Sequence, residues 1–250
     1  MSTKVILLDS TVANASNTAD FTVNLTSPID LENTKWNIAL SSLRLYYTWF
    51  NISAALGNNV FKYFNGTTNR VLTLEDGTYS FSHLVEHIQD KMITLGDYTP
   101  GTPNVFSINF YLDTSDGFVS LSLSNSYTVN FTNMPIRTVF GAGSVVYTTN
   151  SVFPNKADID LSNNAIFLHL DIISGNSYIN GSPSDVILSF QVDTSESGLI
   201  EITPPVFKYI GISRTDYIST MRLYLTNQSG TPINLNGSPL SAEFVLAMSK

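Results

Sequence analysis

The chain of 250 residues contains no cysteine. That excludes a disulfide framework, a cysteine-ligated zinc site and a thiol nucleophile. Charge is scarce as well: 13% of residues are Asp, Glu, Lys or Arg, against about 25% in a typical soluble protein. Positive charge is scarcest, with 12 Lys and Arg against 20 Asp and Glu and a formal net charge of −8. The basic residues are scattered singly from Lys4 to Lys250. Nonspecific nucleic-acid binding depends on clustered Lys and Arg neutralising phosphates, so direct genome binding is not expected. No window approaches the roughly 18 apolar residues of a membrane span, and none is expected. The opening Met1-Ser-Thr-Lys-Val-Ile-Leu-Leu-Asp9 has a four-residue apolar run, too short for a signal-peptide core. Synthesis without a signal peptide is therefore the expectation. Sequons such as Asn51-Ile-Ser53 and Asn65-Gly-Thr67 are read as unglycosylated.

Asn, Ser and Thr supply the polarity that charge does not. Such a surface forms hydrogen bonds but has few charges to desolvate, which suits close apposition of neighbouring copies.

Period-two alternation with turn residues between the runs dominates the chain. Strands are expected at Lys4–Leu8, Phe21–Leu25 (stopping at Ser27-Pro28), Trp36–Tyr46, Val60–Phe64, Arg70–Leu74, Phe106–Leu112, Phe118–Leu123, Val145–Tyr147, Ala165–Ile173 and Val186–Val192. The phase of the third run changes at Ser41-Ser42, which predicts a bulge. One helix is expected over Tyr79–Leu95, where Leu84, Val85, Ile88 and Met92 recur at helical spacing. Ser80 or Ser82 can cap its start and Gly96 can end it. The chain closes on two alternating runs, Met221–Leu225 and Ser241–Ala247, around a linker built on Gly230, Pro232, Gly237 and Pro239. In the last run Phe244 and Leu246 should share one face, with Val245 and Ala247 on the other. Many short strands, one helix and no αβ alternation argue an all-β sandwich.

Candidate chemistry is sparse. Asp113-Thr-Ser115 and Asp193-Thr-Ser195 resemble the paired loops of aspartic proteases, in which two carboxylates share a proton. Both carry Ser where the tight loop needs Gly, and turn chemistry accounts for each Asp. His83 and His87 lie four apart on the helix and could face one metal, with Asp90 as a third ligand. Zinc sites usually take at least three protein ligands, and a solvated helix flank is the alternative. His169, in Phe167-Leu-His-Leu-Asp171, could serve a nucleophile–His–Asp triad, but no Gly-x-Ser-x-Gly elbow exposes a serine; a hydrogen-bonded sheet histidine competes with it. Gly141-Ala-Gly143 lacks the lysine of a phosphate loop. Tyr46, Tyr47 and Trp49 could stack on a sugar or base if exposed, or fill a core. No catalytic residue, metal or cofactor is assigned, and no enzymatic function is expected.

Five segments carry a resemblance across nearly the whole chain. They are Asn17-Thr-Ala-Asp-Phe-Thr-Val-Asn-Leu25 followed by Pro28-Ile-Asp-Leu31; Trp36-Asn-Ile-Ala-Leu-Ser-Ser-Leu43 leading to Tyr47-Thr-Trp-Phe-Asn-Ile52; Leu74-Glu-Asp-Gly-Thr-Tyr79; Asn164-Ala-Ile-Phe-Leu-His-Leu-Asp-Ile172; and Leu225-Thr-Asn-Gln-Ser-Gly-Thr-Pro-Ile-Asn-Leu-Asn-Gly237. In order and spacing these resemble the minor capsid (penton) proteins of virophages and Polinton/Maverick-type viruses. Tyr98–Asp158 is covered least. Phe21, Trp36, Trp49, Asn51, Gly77, Tyr79, Asp171, Gly230 and Gly237 are the positions the resemblance marks as structural. Asn227 stands where the pattern has Asp, and either side chain can cap the turn.

The resemblance implies an antiparallel jelly-roll domain over residues 1–250, with an insertion or elaborated loop region within about 60–160. It implies a homopentamer at an icosahedral vertex, beside a double jelly-roll major capsid protein, in the virion. The alternative is a receptor- or glycan-binding β-sandwich module of a viral spike, since jelly rolls also host lectins.

Overall fold

The computed structural model describes residues 3–12, 17–124, 126–159, 165–173, 175, 177–179, 181–192 and 197–249. The chain divides into two compact units, Met1–Trp49 with Asn163–Lys250, and Phe50–Ser162. The first contributes β1 (Thr3–Asp9), β2 (Asp20–Asp30) and β3 (Trp36–Tyr46). The second holds β4 (Val60–Phe64), β5 (Asn69–Thr73), α1 (Phe81–Thr94), β6 (Ile108–Leu112), β7 (Phe118–Leu123), β8 (Thr128–Asn130), α2 (Arg137–Phe140), β9 (Val146–Tyr147) and β10 (Ser151–Lys156). The first unit resumes with β11 (Ile166–Leu170), β12 (Ser177–Ile179), β13 (Ser182–Ser184), β14 (Val186–Phe190), β15 (Leu199–Ile202), β16 (Ile210–Gly211), β17 (Tyr217–Asn227) and β18 (Leu240–Met248).

Two antiparallel sheets make the core of the first unit, and β12 and β13 pair as a separate hairpin. One runs β1-β18-β3-β15 and the other β14-β11-β17-β2. The short β16 pairs with Ile38 and Asn37 of β3, while β15 pairs with Leu43 to Tyr46. The two therefore occupy one strand position, broken in the middle. Alternation fixes which face is buried. Ile6 and Leu8 of β1, Phe244 and Leu246 of β18, Leu168 and Leu170 of β11, and Leu223 and Leu225 of β17 all enter one apolar core. Phe244 and Leu246 do share the buried face, and Val245 lies opposite. The bulge falls where the phase of β3 changes: Glu243 pairs with Ser42 and Phe244 with Leu40, which leaves Ser41 unpaired. The extra residue returns Leu43 and Leu45 to the same face as Ile38 and Leu40.

Numbered along this unit, leaving out the β12–β13 hairpin and counting β15 with β16 as one, the strand positions read first–eighth–third–sixth in one sheet and fifth–fourth–seventh–second in the other. Eight strands wound in two facing sheets in this order are a jelly roll.

The second unit carries two smaller antiparallel sheets, β5-β4-β8-β9 and β10-β7-β6. Its core is aromatic. The Phe140 ring lies 4.6 Å from Phe110, 5.6 Å from Phe81 and from Phe131, and 6.4 Å from Phe61. Helix α1 buries Phe81, Leu84, Ile88 and Met92. Ser80 is its N-cap, accepting from the His83 N–H at 3.2 Å, and Gly96 follows the helix with φ +74°.

Three expectations are corrected. Ser27-Pro28 does not end β2; it interrupts its pairing with β17, which skips from Asn24 to Ile29. β2 is an edge strand, where proline is tolerated because no neighbour needs its N–H. The Ala165–Ile173 run is a strand only to Leu170, and Asp171–Ile173 turns as a 3₁₀-helix. The short α2, β8 and β10, and the β12–β13 hairpin in what reads as a Gly- and Asn-rich loop, were not anticipated from sequence. Pro135, at the start of the turn leading into α2, is the one local signal, since proline favours the first turn of a helix.

Candidate functional site

In the second unit the marked residues Asn51, Gly77 and Tyr79 converge. The Asn51 side chain is buried. Its Oδ1 accepts the Tyr79 N–H at 2.9 Å, and its Nδ2 donates to the Tyr79 carbonyl at 2.7 Å and the Ile159 carbonyl at 3.0 Å. Gly77 and Ile52 exchange backbone hydrogen bonds of 2.9 and 3.2 Å. A Cβ on Gly77 would sit 2.8 Å from the Tyr79 ring. One amide thus joins the beginning of this unit, the approach to α1 and the end of the unit. Asn58 extends the node, donating to the Asn51 carbonyl at 2.7 Å.

A second buried node in this unit surrounds Asp97. Its carboxylate accepts from Tyr63 Oη at 2.7 Å, Asn65 Nδ2 at 2.7 Å and Arg70 Nε at 2.8 Å. Burial works against its charge, but the bonds from Arg70, Tyr63 and Asn65 outweigh it and hold the carboxyl below its ordinary range. Burial, followed by the bond to Asp97, pushes the Tyr63 hydroxyl well up. Sequence reading missed this cluster, because its members lie far apart in the chain and match no motif.

On the outer face of the second jelly-roll sheet, His169 Nδ1 lies 2.7 Å from Asp185 Oδ1, and Nε2 lies 2.9 Å from Thr226 Oγ1. Tyr224 Oη donates to the other Asp185 oxygen at 2.8 Å, and its ring stacks on His169 at 4.3 Å. Arg222 covers the Tyr224 ring at 4.7 Å and grips Asp20 through two bonds. The order hydroxyl–imidazole–carboxylate is that of a hydrolytic triad. A nucleophile must reach its substrate, however, and Thr226 and His169 are 6% and 8% exposed. His169 and Tyr224 are direct partners across β11 and β17. The network is a polar clasp over the sheet, and the hydrogen-bonded sheet histidine is the reading the geometry favours. Burial, then the bond to Asp185, pushes the Tyr224 hydroxyl up to about 12.

The other candidates fall into place individually. Asp113 caps a hairpin turn, its Oδ1 accepting from the Ser115 N–H at 2.9 Å and Oγ at 2.6 Å. The Ser115 hydroxyl and N–H hold its carboxyl below the ordinary range. Asp193-Thr-Ser195 lies outside the described residues. His87 Nε2 and Lys91 Nζ both meet the Glu75 carboxylate. The bond from Lys91 is the main cause that lowers Glu75 to about 2. Among the described residues no group of three or more His, Asp or Glu side chains could hold a metal. Gly141 ends α2 with φ +71°, where a Cβ would meet the Asn155 carbonyl at 2.2 Å. No helix of the described residues is long and apolar enough to cross a membrane.

The remaining marked residues serve the first unit. Phe21, Trp36 and Trp49 are in its core. Trp36 Nε1 donates to the Leu31 carbonyl at 3.1 Å, and Trp49 packs on Tyr47 at 4.6 Å. Asp171 Oδ1 accepts the Arg222 N–H at 2.9 Å. Gly230 and Gly237 take φ of +78° and +82° in the turns before β18. Asn227 Oδ1 accepts from the N–H groups of Ser229 and Thr231 at 2.9 Å each, the turn cap expected of that position.

With these nodes structural and the strand order that of a jelly roll, the decisive comparison is with solved folds. The structure is similar to the penton protein of mavirus. The two match over 100% of both chains with a TM-score of 0.52 and 9% sequence identity. At that identity the likeness is one of fold. No protein-family profile and no curated protein matches the sequence.

Proposed function

We propose that this chain is a structural capsid protein, the minor (penton) protein at the vertices of an icosahedral DNA virus or virus-like element of the virophage or Polinton/Maverick type. In this reading it assembles as a homopentamer beside a double jelly-roll major capsid protein and resides in the virion. The observation that carries it is the end-to-end likeness of fold to the mavirus penton protein. Few surface charges and buried polar nodes that are internally satisfied accord with a building block rather than a catalyst. The glycan-binding alternative loses two of its three aromatic candidates, because Tyr47 and Trp49 are core residues and Tyr46 alone is exposed.

Native mass spectrometry and negative-stain microscopy of the purified chain test this. The expected result is a ring of five copies. A monomer at high concentration, or a closed ring of another order, would count against it.

A further inference from the structure

The two edges of the first jelly-roll sheet are unlike each other and complementary. β1 forms one edge and the broken β15–β16 strand the other. Ser10 donates to the Leu240 carbonyl at 2.9 Å. By antiparallel alternation Leu8, Ile6 and Lys4 then bond to β18, while Thr3, Val5 and Leu7 turn their N–H and C=O groups to the open edge. The same residues point away from the core, and Val5 and Leu7 are each 65% exposed. Glu243, the cross-strand partner of Leu7, stands beside them. A long apolar edge of this kind is an invitation to pairing unless something covers it.

At the opposite edge the chain breaks its pairing with β3 between Ile202 and Ile210, in a segment that contains Pro204 and Pro205. It presents Val206, 71% exposed, with Phe207 and Tyr209 also exposed and in contact edge to face at 6.2 Å. Lys208, between them in sequence, is exposed as well. Neither Lys208 nor Glu243 has an ion-pair or side-chain hydrogen-bond partner among the described residues. One edge therefore offers apolar side chains beside an unpaired carboxylate, and the other offers exposed apolar side chains in the same short segment as an unpaired ammonium.

These surfaces cannot meet within a chain, since three strand spacings, roughly 14 Å, separate them. We propose that they meet between copies: the Pro204–Tyr209 excursion of one chain docks on the β1 edge of the next, with Lys208 facing Glu243. Such a contact is head-to-tail, and head-to-tail contacts close into rings when the rotation per copy permits. The inference rests on the proposed self-assembly and assigns its surfaces.

The absence of cysteine makes the test clean. Leu7→Cys and Phe207→Cys chains are prepared separately, mixed and oxidised. Head-to-tail docking gives a disulfide between the two variants and none within either alone. Lys208→Glu and Glu243→Lys should each weaken association about tenfold or more, with the double reversal restoring it. Unchanged melting curves would show that the fold is intact. A Leu7→Cys chain that cross-links to itself would mean two-fold pairing of β1 strands and overturn the proposal. Assemblies that form normally, with no mixed disulfide and no response to charge reversal, would overturn these surfaces and leave self-assembly standing. A wild-type chain that stays monomeric, together with no disulfide in the mixture of the two variants, would overturn both.

Discussion

The jelly-roll unit and the Phe50–Ser162 unit reach a closed core by different means. In the first, long strands such as β3, β17 and β18 deliver aliphatic side chains at every second position, so the backbone period organises the core. In the second, strands are short, and Phe61, Phe110, Phe131, Phe140 and Phe153 meet as a cluster of rings. Each ring buries a large area and has edge and face contacts to satisfy. A few aromatic residues can therefore hold elements whose ladders alone would be marginal.

The largest effect should come from truncating the chain before Pro239. β18 pairs with both β1 and β3, and no other segment can fill that place. Loss of the jelly-roll melting transition in calorimetry is expected, whereas removing residues 1–3 should change it little. An unaltered transition in the truncated chain would contradict the closing role of β18.

Next, Phe140→Ala removes the ring on which four others converge. The expected loss is about 3–5 kcal/mol by denaturant titration. If Phe140→Ala costs much less than Phe244→Ala in the other core, the aromatic cluster is not what holds the second unit. Asn51→Ala should cost about 1–3 kcal/mol, because it strands part-buried N–H and C=O groups of Tyr79 and Ile159.

The smallest effect concerns alkali and distinguishes the units by pH. Tyr224 binds its proton more tightly folded than unfolded, so its contribution is whole below the unfolded pKa of about 10. It is lost as pH rises towards the folded value of about 12. Stability measured by denaturant titration should fall across that window. Tyr224→Phe should remove the share belonging to the jelly roll, and Tyr63→Phe the share belonging to the second unit. Identical slopes in wild type and Tyr224→Phe would exclude Tyr224, through its burial and its bond to Asp185, as a contributor.

The same contrast explains how much could be read from sequence. Strands Trp36–Tyr46, Val60–Phe64 and Phe118–Leu123, the α1 helix with its Ser80 cap, and the bulge at Ser41 follow from periodicity and local chemistry, which are written in neighbouring residues. The weakly patterned β8, β10 and α2 depend on ring contacts between distant residues, and no period announces them. Among the marked positions Asn51, Gly77 and Tyr79 were named singly, but their union in one node is a product of the fold. His169 was visible as a polar residue in an apolar strand. Its partners Asp185 and Thr226, 16 and 57 residues away, were not.

The Asn51 node has a consequence for heredity. Because one amide holds the Tyr79 and Ile159 backbones to the start of a unit more than a hundred residues long, an insertion in a turn between those points can lengthen the unit without moving them. Loss of the Asn51 codon, by contrast, would release all the backbone segments it joins at once.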